Sequence, residues 1–530
     1  MYREAPWWQT ATIYHIYPRS FQDSNHDGVG DLPGITARLD YLLDLGVDAL
    51  WLSPVYPSPM ADFGYDVADF CDIHPLFGAL SDFEVLVREA HARGLRVIMD
   101  YIPNHSADRH PWFLASRASR DNPYRNWYLW RDPAPDGGPP NNWLSQFGGP
   151  AWTLDQTTGQ YYYHAYLSSQ PDLNWRNPEV REAMFGVLHF WLARGVDGFR
   201  LDAFRRLIKD IEFRDEPLNP DYRPGVDNPA KRLRPIHTTE QPELFEIVRT
   251  IRQLVEAHGE RVLIGELYLP IARLMPFYGT PEAPGIQLPT NFHLLMRPWE
   301  ADALADLIRE YEAALPDHGW PNWVLGNHDN HRIASKLGAA QARVAALLLL
   351  SLRGTPTLYY GDELGMEDVP IPADRVQDPW ELNVPGQGLG RDPERSPMQW
   401  TDGLHAGFSE VAPWLPVAAD AHRVNVAVQH NDPCSMLNLH RELLALRRQE
   451  TALSLGAISE IQAVGPCLCY RRSDGERRLL VALNLSSAEV AVPLGPGRGR
   501  MLLSTHLDRE DAVAGTLRLR GDEGVVVALR

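Results

Sequence analysis

The sequence predicts an α/β protein built on a (β/α)8 TIM barrel, with a small domain inserted after strand 3 and a C-terminal antiparallel β-domain. The main observation is a recurring unit in which an amphipathic helix, a glycine and a short apolar strand follow one another. Near-continuous apolar strands that alternate with helices indicate a parallel sheet covered on both faces. Eight such units within roughly 350 residues match a barrel with insertions.

Each predicted strand is a short apolar run that ends in polar residues. The rival fold is an open doubly wound sheet, which would offer a glycine-rich phosphate turn after its first strand. The segment IYHIYPRSFQDSNHDG at 13–28 is no such turn, and we therefore favour the barrel. The predicted strand segments are 11–20, 45–54, 93–105, 194–204, 259–268, 287–294, 321–330 and 354–364.

The spacing of these strands locates the domains. After residue 105 the next strand begins only near residue 195, and the stretch between them opens with a region rich in Trp, Pro, Gly and Tyr. A second insertion is expected at about 365–420, and short β-like runs alternate with turns near the C-terminus. We predict the barrel in 1–104 and 171–455, the inserted domain in 105–170 and the β-domain in 456–530.

The overall composition limits the classes of molecule that the protein is expected to bind. The 530 residues carry 50 basic and 69 acidic side chains, a formal net charge of −19, which disfavours nucleic acid and anionic membrane surfaces. The longest apolar run, 344–350, is shorter than the ~20 residues of a membrane span, and the N-terminus has no signal-peptide pattern. We expect a cytoplasmic protein, monomer or homodimer, that uses no organic cofactor.

Charged residues stand where the predicted strands end, and in a barrel those ends open on one face. Asp202, Glu266 and Asp329 come from three different strands, far apart in sequence. Structural carboxylates would pair more easily with lysine, which these segments lack, so we interpret the three acids as a reactive site.

Glycoside hydrolysis is the chemistry that needs this set. One carboxylate attacks or stabilises an oxocarbenium-like centre, while another is kept protonated and donates to the leaving oxygen. Arg200 shares a strand face with Asp202 and is expected to keep it ionised. Glu266 follows the apolar run VLIG, whose dry surroundings are expected to raise its pKa as a general acid requires.

Four segments also resemble a known family. DYIPNH (100–105), GFRLDAF (198–204), IGELY (264–268) and GNHDNH (326–331) resemble, in order, the four signature motifs of the α-amylase family, glycoside hydrolase family 13. QPDLN (170–174) resembles a fifth motif, typical of the α-glucosidase and oligo-1,6-glucosidase branch. The resemblance covers nearly the whole chain.

The resemblance implies specific roles. Asp202 would be the nucleophile, Glu266 the general acid/base, and Asp329 the carboxylate that grips the sugar hydroxyls and distorts the ring. Further positions would surround the non-reducing glucose of a small oligosaccharide. They are Asp62, Tyr65, His105, Arg200, His328 and Arg395, together with Phe147, Tyr166 and Gln170 from the inserted domain, whose alternative reading is ordinary packing.

The residue after the nucleophile resembles a linkage switch in this branch, where Val goes with α-1,6 substrates and smaller residues with α-1,4 substrates. Here it is Ala203. We therefore expect a retaining exo-α-glucosidase that prefers maltose-type substrates through a covalent glucosyl-enzyme, with some transglucosylation. One alternative is a transferase or isomerase of trehalose synthase or sucrose isomerase type. Another is a non-catalytic relative associated with a transporter.

The segment DSNHDGVGD at 23–31 follows the first part of a calcium-binding loop, with a glycine where the loop turns sharply. Position twelve is Gly34 and not Glu, so the loop is no complete EF-hand, and a polar Asx/Gly turn is the alternative. It is similar to a loop of bacterial α-glucosidases that holds a structural Ca²⁺ or Mg²⁺ away from the reaction centre. The expected ligands are Asp23, Asn25, Asp27, the Val29 carbonyl and Asp31.

Overall fold

A computed structural model describes residues 5–530, with side chains throughout except at 495–497. The first four residues of the predicted barrel range therefore lie outside the described residues. The described strands are β1 (Ile13–Ile16), β2 (Ala49–Leu52), β3 (Arg96–Tyr101), β4 (Trp130–Arg131), β5 (Trp152–Asp155), β6 (Gln160–Tyr163), β7 (Gly198–Leu201), β8 (Val262–Gly265), β9 (Leu288–Asn291), β10 (Asn322–Val324), β11 (Thr355–Tyr359), β12 (Ala457–Val464), β13 (Cys467–Asp474), β14 (Arg477–Asn484), β15 (Val490–Ser504), β16 (Ala512–Leu519) and β17 (Gly524–Leu529).

Eight strands close into a parallel barrel in the order β1-β2-β3-β7-β8-β9-β10-β11, with β11 pairing back to β1. Each of the eight predicted segments contains one of these strands, so the predicted barrel is confirmed. The strands are shorter than the segments because each segment also includes the loops at both strand ends, and those loops carry the polar residues.

Two smaller sheets accompany the barrel. Strands β4, β5 and β6 form an antiparallel sheet between β3 and β7, which is where the inserted domain was expected. The last six strands form one antiparallel sheet in the order β12-β13-β14-β17-β15-β16. The predicted C-terminal β-domain is therefore present.

Helices follow the barrel strands. Among them, α4 spans Leu80–Ala92, and α6 spans Pro178–Leu192 and begins where the Asn177 side chain accepts from the Glu179 N–H. The described helices are α1 (Trp7–Thr10), α2 (Leu32–Ala37), α3 (Leu39–Leu45), α4 (Leu80–Ala92), α5 (Pro111–Ala118), α6 (Pro178–Leu192), α7 (Glu243–Glu256), α8 (Ile271–Leu274), α9 (His293–Met296), α10 (Ala301–Ala314), α11 (Ile333–Ser351), α12 (Pro379–Asn383), α13 (Val426–His430), α14 (Met436–Gln449) and α15 (Thr451–Ser454).

Helix α11 is long and apolar enough, by length and composition alone, to cross a membrane. It is interrupted at Gly338, which has φ +77°, and the helix packs against α14, β14 and β17. More than half of its apolar stretch is buried in the fold, as in the core helix of a globular protein.

The motif GVDGFRLDAF lies on β7 and the turn that follows. Gly198 is required by close packing, because a Cβ there would lie 2.5 Å from the backbone oxygen of Val262 on β8. Two neighbouring strands are thus held tightly together just before the positions of Arg200 and Asp202. These two side chains leave the barrel on the face where all eight strands end.

Candidate active site

A cavity of about 850 Å³ opens at the carboxyl ends of the barrel strands. Its wall combines barrel loops, the inserted domain, the segment 205–235 and the segment 380–391. Most of the site residues expected from the sequence line it. They are Asp62, Tyr65, His105, Phe147, Tyr166, Gln170, Asp202, Ala203, Glu266, His328 and Asp329.

Arg200 lies behind this wall and joins the acids to one another. Its side chain is 2 % exposed, and its Nη1 donates to Asp202 at 2.7 Å and to Asp100 at 3.1 Å. Its Nη2 pairs with a Glu266 oxygen at 3.0 Å. One guanidinium therefore holds together a carboxylate of β3 and the carboxylates that directly follow β7 and β8.

Arg200 lowers the pKa of Asp202, as expected, but does not bring it down to its ordinary value. Burial raises the pKa of Asp202 well above its ordinary value; Arg200 opposes this, while the like charges of Glu266 and Asp100 add to it. One arginine serves three carboxyls, so its charge does not offset both the burial of Asp202 and the neighbouring acids. Burial likewise raises the pKa of Asp100, to about 6.

Glu266 does not have the apolar surroundings that its sequence neighbours suggested. One carboxylate oxygen pairs with Arg200, and the other accepts the N–H of Ala203 at 3.2 Å. Ala203 has φ +47°, in the left-handed region that side chains other than glycine rarely adopt. Ala203 in this conformation is the residue from which the short 3-10 helix Phe204–Arg206 begins.

Asp329 lies in a different electrostatic setting. Burial alone would raise its pKa, but Arg391 at 3.1 Å and Arg395 at 3.0 Å outweigh it and hold the pKa below the ordinary value. Arg395 is buried outside the cavity lining and also donates to the His328 carbonyl at 2.7 Å. Arg395 therefore positions Asp329 and does not line the pocket.

One end of the cavity is closed by a hydrogen-bonded wall. Asp62 accepts from Arg391 at 2.8 Å and from Gln170 at 3.1 Å, and the Gln170 amide also lies 3.3 Å from His105 Nε2. Tyr65 shares this wall through its carbonyl, 3.1 Å from His105 Nε2. These buried groups form one continuous part of the cavity wall.

The two histidines of the wall are neutral. Burial lowers the pKa of His105 to about 4 and the pKa of His328 well below its ordinary value. His328 Nε2 lies 2.7 Å from the Tyr65 hydroxyl, and its ring stacks on Tyr65. Neutral imidazoles can both donate to and accept from sugar hydroxyls.

The inserted domain contributes an aromatic flank. Phe147 packs against Tyr166, and on its other side against Trp380 from the second insertion. All three line the cavity, so the expectation that Phe147 and Tyr166 face the site agrees with where the structure places them. Aromatic faces suit the apolar faces of a sugar ring.

A model of the α-amylase catalytic domain matches residues 15–456. The chain belongs to the α-amylase family. A second family model, described as a domain of unknown function, matches residues 461–526, which covers most of the C-terminal β-domain. With the barrel and the three acids in place, this membership makes the protein a glycoside hydrolase.

Relatives within the α-amylase family include both hydrolases and transferring enzymes. A probable alpha-glucosidase of Rhizobium meliloti is 42 % identical over 95 % of each chain, and an oligo-1,6-glucosidase of Heyndrickxia coagulans is 35 % identical over 95 % of this chain and 96 % of its own. The crystal structure of XgtA, described as an alpha-glucosyl transfer enzyme, superimposes with a TM-score of 0.94 at 41 % identity, covering 99 % of this chain and 100 % of XgtA. The trehalulose synthase MutB of Pseudomonas mesoacidophila MX-45 gives 0.90 at 34 % identity over 100 % of both chains.

Several residues of this α-amylase family site were missed in the sequence. Arg391 is the most important, because it joins Asp62, Asp329 and Asp378 and so ties the second insertion to the barrel. The only local signal is a second arginine four positions before Arg395 in the segment RDPER. The other cavity residues missed include Arg206, Tyr268, Asn330 and Trp380.

The loop at 23–31 is a series of side-chain-capped turns. The buried Asp23 accepts from the N–H groups of Asn25 and Gly28, and Asp31 caps α2 by accepting from Gly34. The oxygen-only donor set has the chemistry that a hard divalent cation requires. Within the described residues, the groups that bring three acid or imidazole ligand atoms within 4.8 Å of one another lie elsewhere, at His331, Asp368 and Glu394 and at His506, Asp508 and Glu523.

The shared arginine predicts how activity depends on pH. We expect Asp202 to act as the nucleophile, so its protonation should abolish activity, and its raised pKa should place the acid limb of kcat/KM above the ordinary aspartate range. Because the charge of Asp100 raises the pKa of Asp202, Asp100→Asn should move that limb to lower pH, even though the substitution also lowers kcat. The measurement is kcat/KM against pH for both proteins.

Asp40→Asn is the matched control, since it removes one carboxylate from an exposed site on α3. It should leave the acid limb of the wild-type profile in place. An acid limb that Asp100→Asn leaves unmoved would contradict the electrostatic coupling described here.

Proposed function

We propose that the protein is a retaining exo-α-glucosidase that releases glucose from the non-reducing end of short α-glucosides, with α-1,4 linkages preferred. The observation that carries this proposal is the pairing of Asp202 and Glu266 with one buried guanidinium, beside a cavity closed at one end. Two carboxyls held so close, with a third acid nearby, are what glycosidic cleavage requires.

The proposed reaction has two steps. The ionised Asp202 attacks the anomeric carbon as the bond to the leaving oxygen breaks, and Glu266 gives its proton to that oxygen. Glu266 then takes a proton from water, whose oxygen displaces Asp202 and releases glucose with its original anomeric configuration. When Glu266 carries a proton, it no longer has the negative charge that raises the pKa of Asp202. A protonated Glu266 therefore favours the ionised Asp202 that the first step requires.

The separation of the acids supports retention. Asp202 and Glu266 contact neighbouring nitrogens of the same guanidinium, at 2.7 and 3.0 Å. Inverting enzymes keep their carboxyls about 6.5–9.5 Å apart to admit a water between acid and base, whereas retaining enzymes keep them about 5–5.5 Å apart. Because both carboxyls contact one planar guanidinium, the shorter carboxyl separation of retaining enzymes is favoured.

The closed wall supports exo action. Asp62 and Asp329 accept hydrogen bonds from Arg391, and their remaining lone pairs face the cavity, where they can bind the hydroxyls of one terminal glucose. An internal stretch of a longer chain would have to pass through this wall. The leaving group therefore extends the other way, along the segment 205–235.

Ala203 supports the preference for α-1,4 linkages. Ala203 lines the cavity, and its N–H donates to Glu266, the acid proposed to protonate the leaving oxygen. A small side chain leaves room there for an aglycone attached through a secondary hydroxyl. A change of this size supplies about 1–3 kcal/mol of discrimination, so other linkages are also expected to be cleaved, more slowly.

Glucosyl transfer is the second candidate. It is favoured by the high similarity to the alpha-glucosyl transfer enzyme XgtA and by the burial of the acids, of which Asp202 is 11 % and Glu266 15 % exposed at the side chain. A glucosyl-enzyme shielded from water can react with a sugar or alcohol instead. The ratio of free glucose to new glucosides at high maltose concentration separates the two candidates.

The function is tested with wild-type protein on maltose, isomaltose, sucrose and trehalose. We expect the highest kcat/KM on maltose, and NMR should detect α-glucose as the first anomer released. Asp202→Asn should lower kcat by about 10³-fold or more, since it removes the nucleophile. First-formed β-glucose would contradict retention, and no cleavage of any of the four would contradict the proposed function.

Ala203→Val tests the linkage proposal. The bulkier residue narrows the leaving-group side, and a β-branched residue at φ +47° is strained, so the melting temperature should also fall. We expect the maltose-to-isomaltose ratio of kcat/KM to drop by about tenfold or more. Ala203→Gly is the control, because it suits the backbone without narrowing the cavity and should keep the maltose preference. An unchanged ratio in the Val variant would overturn the linkage proposal.

We also propose that the 23–31 loop holds a structural Ca²⁺ or Mg²⁺ through Asp23, Asn25, Asp27, the Val29 carbonyl and Asp31. The support is its oxygen donor set, and the cation would tie the loop to Ser409, which donates to Asp23 at 2.6 Å. The ion takes no part in the two-carboxylate reaction. A cytoplasmic location and a monomer or homodimer remain predictions from the sequence.

Removal of the cation should lower stability. Protein treated with chelator should melt at a lower temperature, and Ca²⁺ at 100 times its Kd should restore about 2.7 kcal/mol of unfolding free energy. Asp27→Ala should abolish this Ca²⁺ effect, whereas Asp136→Ala, at an exposed turn of the inserted domain, should retain it. Equal melting temperatures with and without Ca²⁺ would contradict the metal site.

A further inference from the structure

Apart from Arg391, which pairs with acids, the arginine and lysine side chains of the cavity wall come from one segment. The acids Asp62, Asp202, Glu266 and Asp329 lie at the barrel end, where glucose is proposed to bind. The segment 205–235 contributes basic side chains and no acid to the wall. They are Arg205, Arg206, Lys231 and Arg234.

Arg206 is the most unusual of these residues, because it is buried without a counter-ion. It is 4 % exposed and lines the cavity, yet it has no carboxylate within 4.0 Å among the residues that the structure describes. Its neighbour Arg205 has the ordinary arrangement, with an ion pair to Glu240 at 3.2 Å. A buried cation normally has a partner, since desolvation of an unpaired charge is costly.

The surroundings of Arg206 leave its donors free. Its guanidinium lies 5.8 Å from the centre of the Tyr166 ring, a contact that engages the face of the group and none of its N–H donors. Lys231 and Arg234 stand at the exposed rim of the same wall, and Arg234 pairs with a solvent-exposed Asp221. The positive charge thus continues from the buried Arg206 to the mouth of the cavity.

The position of Arg206 places it on the leaving-group side. It lies four residues after Asp202, at the end of the 3-10 helix that begins beyond Ala203. Because the opposite end is closed by Asp62 and Arg391, any group attached to the terminal glucose must run past this helix and the segment 205–235.

We propose that the leaving-group side of the cavity recognises an anionic aglycone, a carboxylate or a phosphate held by the Arg206 guanidinium. This inference rests on the proposed α-glucosidase activity and narrows its substrate class. Arginine suits the task, since its planar fork matches carboxylate and phosphate oxygens in pairs. The protein as a whole carries a net charge of −19, so a local positive wall is needed to bring an anion to this site.

The test uses substrate pairs that differ mainly in charge. α-Glucosyl glycerate and α-glucosyl glycerol form the carboxylate pair, while trehalose 6-phosphate and trehalose form the phosphate pair. The readout is the ratio of kcat/KM for the charged substrate to kcat/KM for its neutral partner. Wild-type protein should favour the charged member of at least one pair by about tenfold or more, as expected for a charge-assisted hydrogen bond. Which pair responds identifies the anion.

Variants assign the preference to Arg206. Arg206→Gln keeps hydrogen-bonding capacity and removes the charge, so the ratio should fall to near one. Arg206→Lys should retain part of the preference as a point charge without the fork. Arg88→Gln, at an exposed arginine of α4, is the control for net charge and should keep the wild-type ratio. Circular dichroism melting of each variant shows that it is folded.

The results that would overturn the anionic aglycone differ from those that would overturn the proposed α-glucosidase function. Cleavage of trehalose or glucosyl glycerol with a wild-type ratio near one in both pairs would overturn the anionic aglycone and leave the α-glucosidase intact. A preference that survives in Arg206→Gln would also overturn it. Absence of activity on every neutral and charged α-glucoside would overturn both proposals together.

Discussion

The site depends on one buried guanidinium. Arg200 contacts Asp100, Asp202 and Glu266, which come from three barrel strands, and without it three carboxylates would face one another in a nearly dry space. Breaking a buried pair of this kind costs about 3–5 kcal/mol, because the remaining charge is left uncompensated. Because Arg200 is shared among three carboxyls, it does not offset the burial of Asp202, whose pKa stays raised. The position of this one arginine therefore controls both where the acids lie and how readily Asp202 ionises.

The ends of the barrel strands supply the acids Asp202, Glu266 and Asp329, and segments outside the barrel complete the pocket. Arg391 comes from an insertion after the eighth strand and reaches Asp62 and Asp329, so it ties together the part of the wall where we propose that glucose binds. The segment 205–235, after the fourth barrel strand, forms the opposite wall. In the proposed function, the barrel supplies the reacting acids, whereas these two segments shape the cavity on either side of the scissile bond.

The eight strands and the acids at their ends could be predicted from the sequence, because a short apolar run followed by polar residues is a local pattern. Arg391 could not be recognised, since its partners are distant in sequence and its segment has no periodicity. The double arginine at 205–206 looks like a solvated pair, and only the fold reveals that one member is paired with Glu240 and the other is not. The left-handed conformation of Ala203 and the raised pKa of Asp202 likewise arise from tertiary packing.

The most direct measurement of this account is kcat/KM on maltose for Arg200→Lys. Lysine keeps the positive charge but cannot bridge Asp202 and Glu266 through adjacent nitrogens. If the bridge sets the positions of the two acids, kcat/KM should fall by about 100-fold or more, since small misplacements of reacting groups have effects of that size. Near-wild-type activity in the folded variant would show that charge alone is enough, and would contradict the central role given to the shared guanidinium.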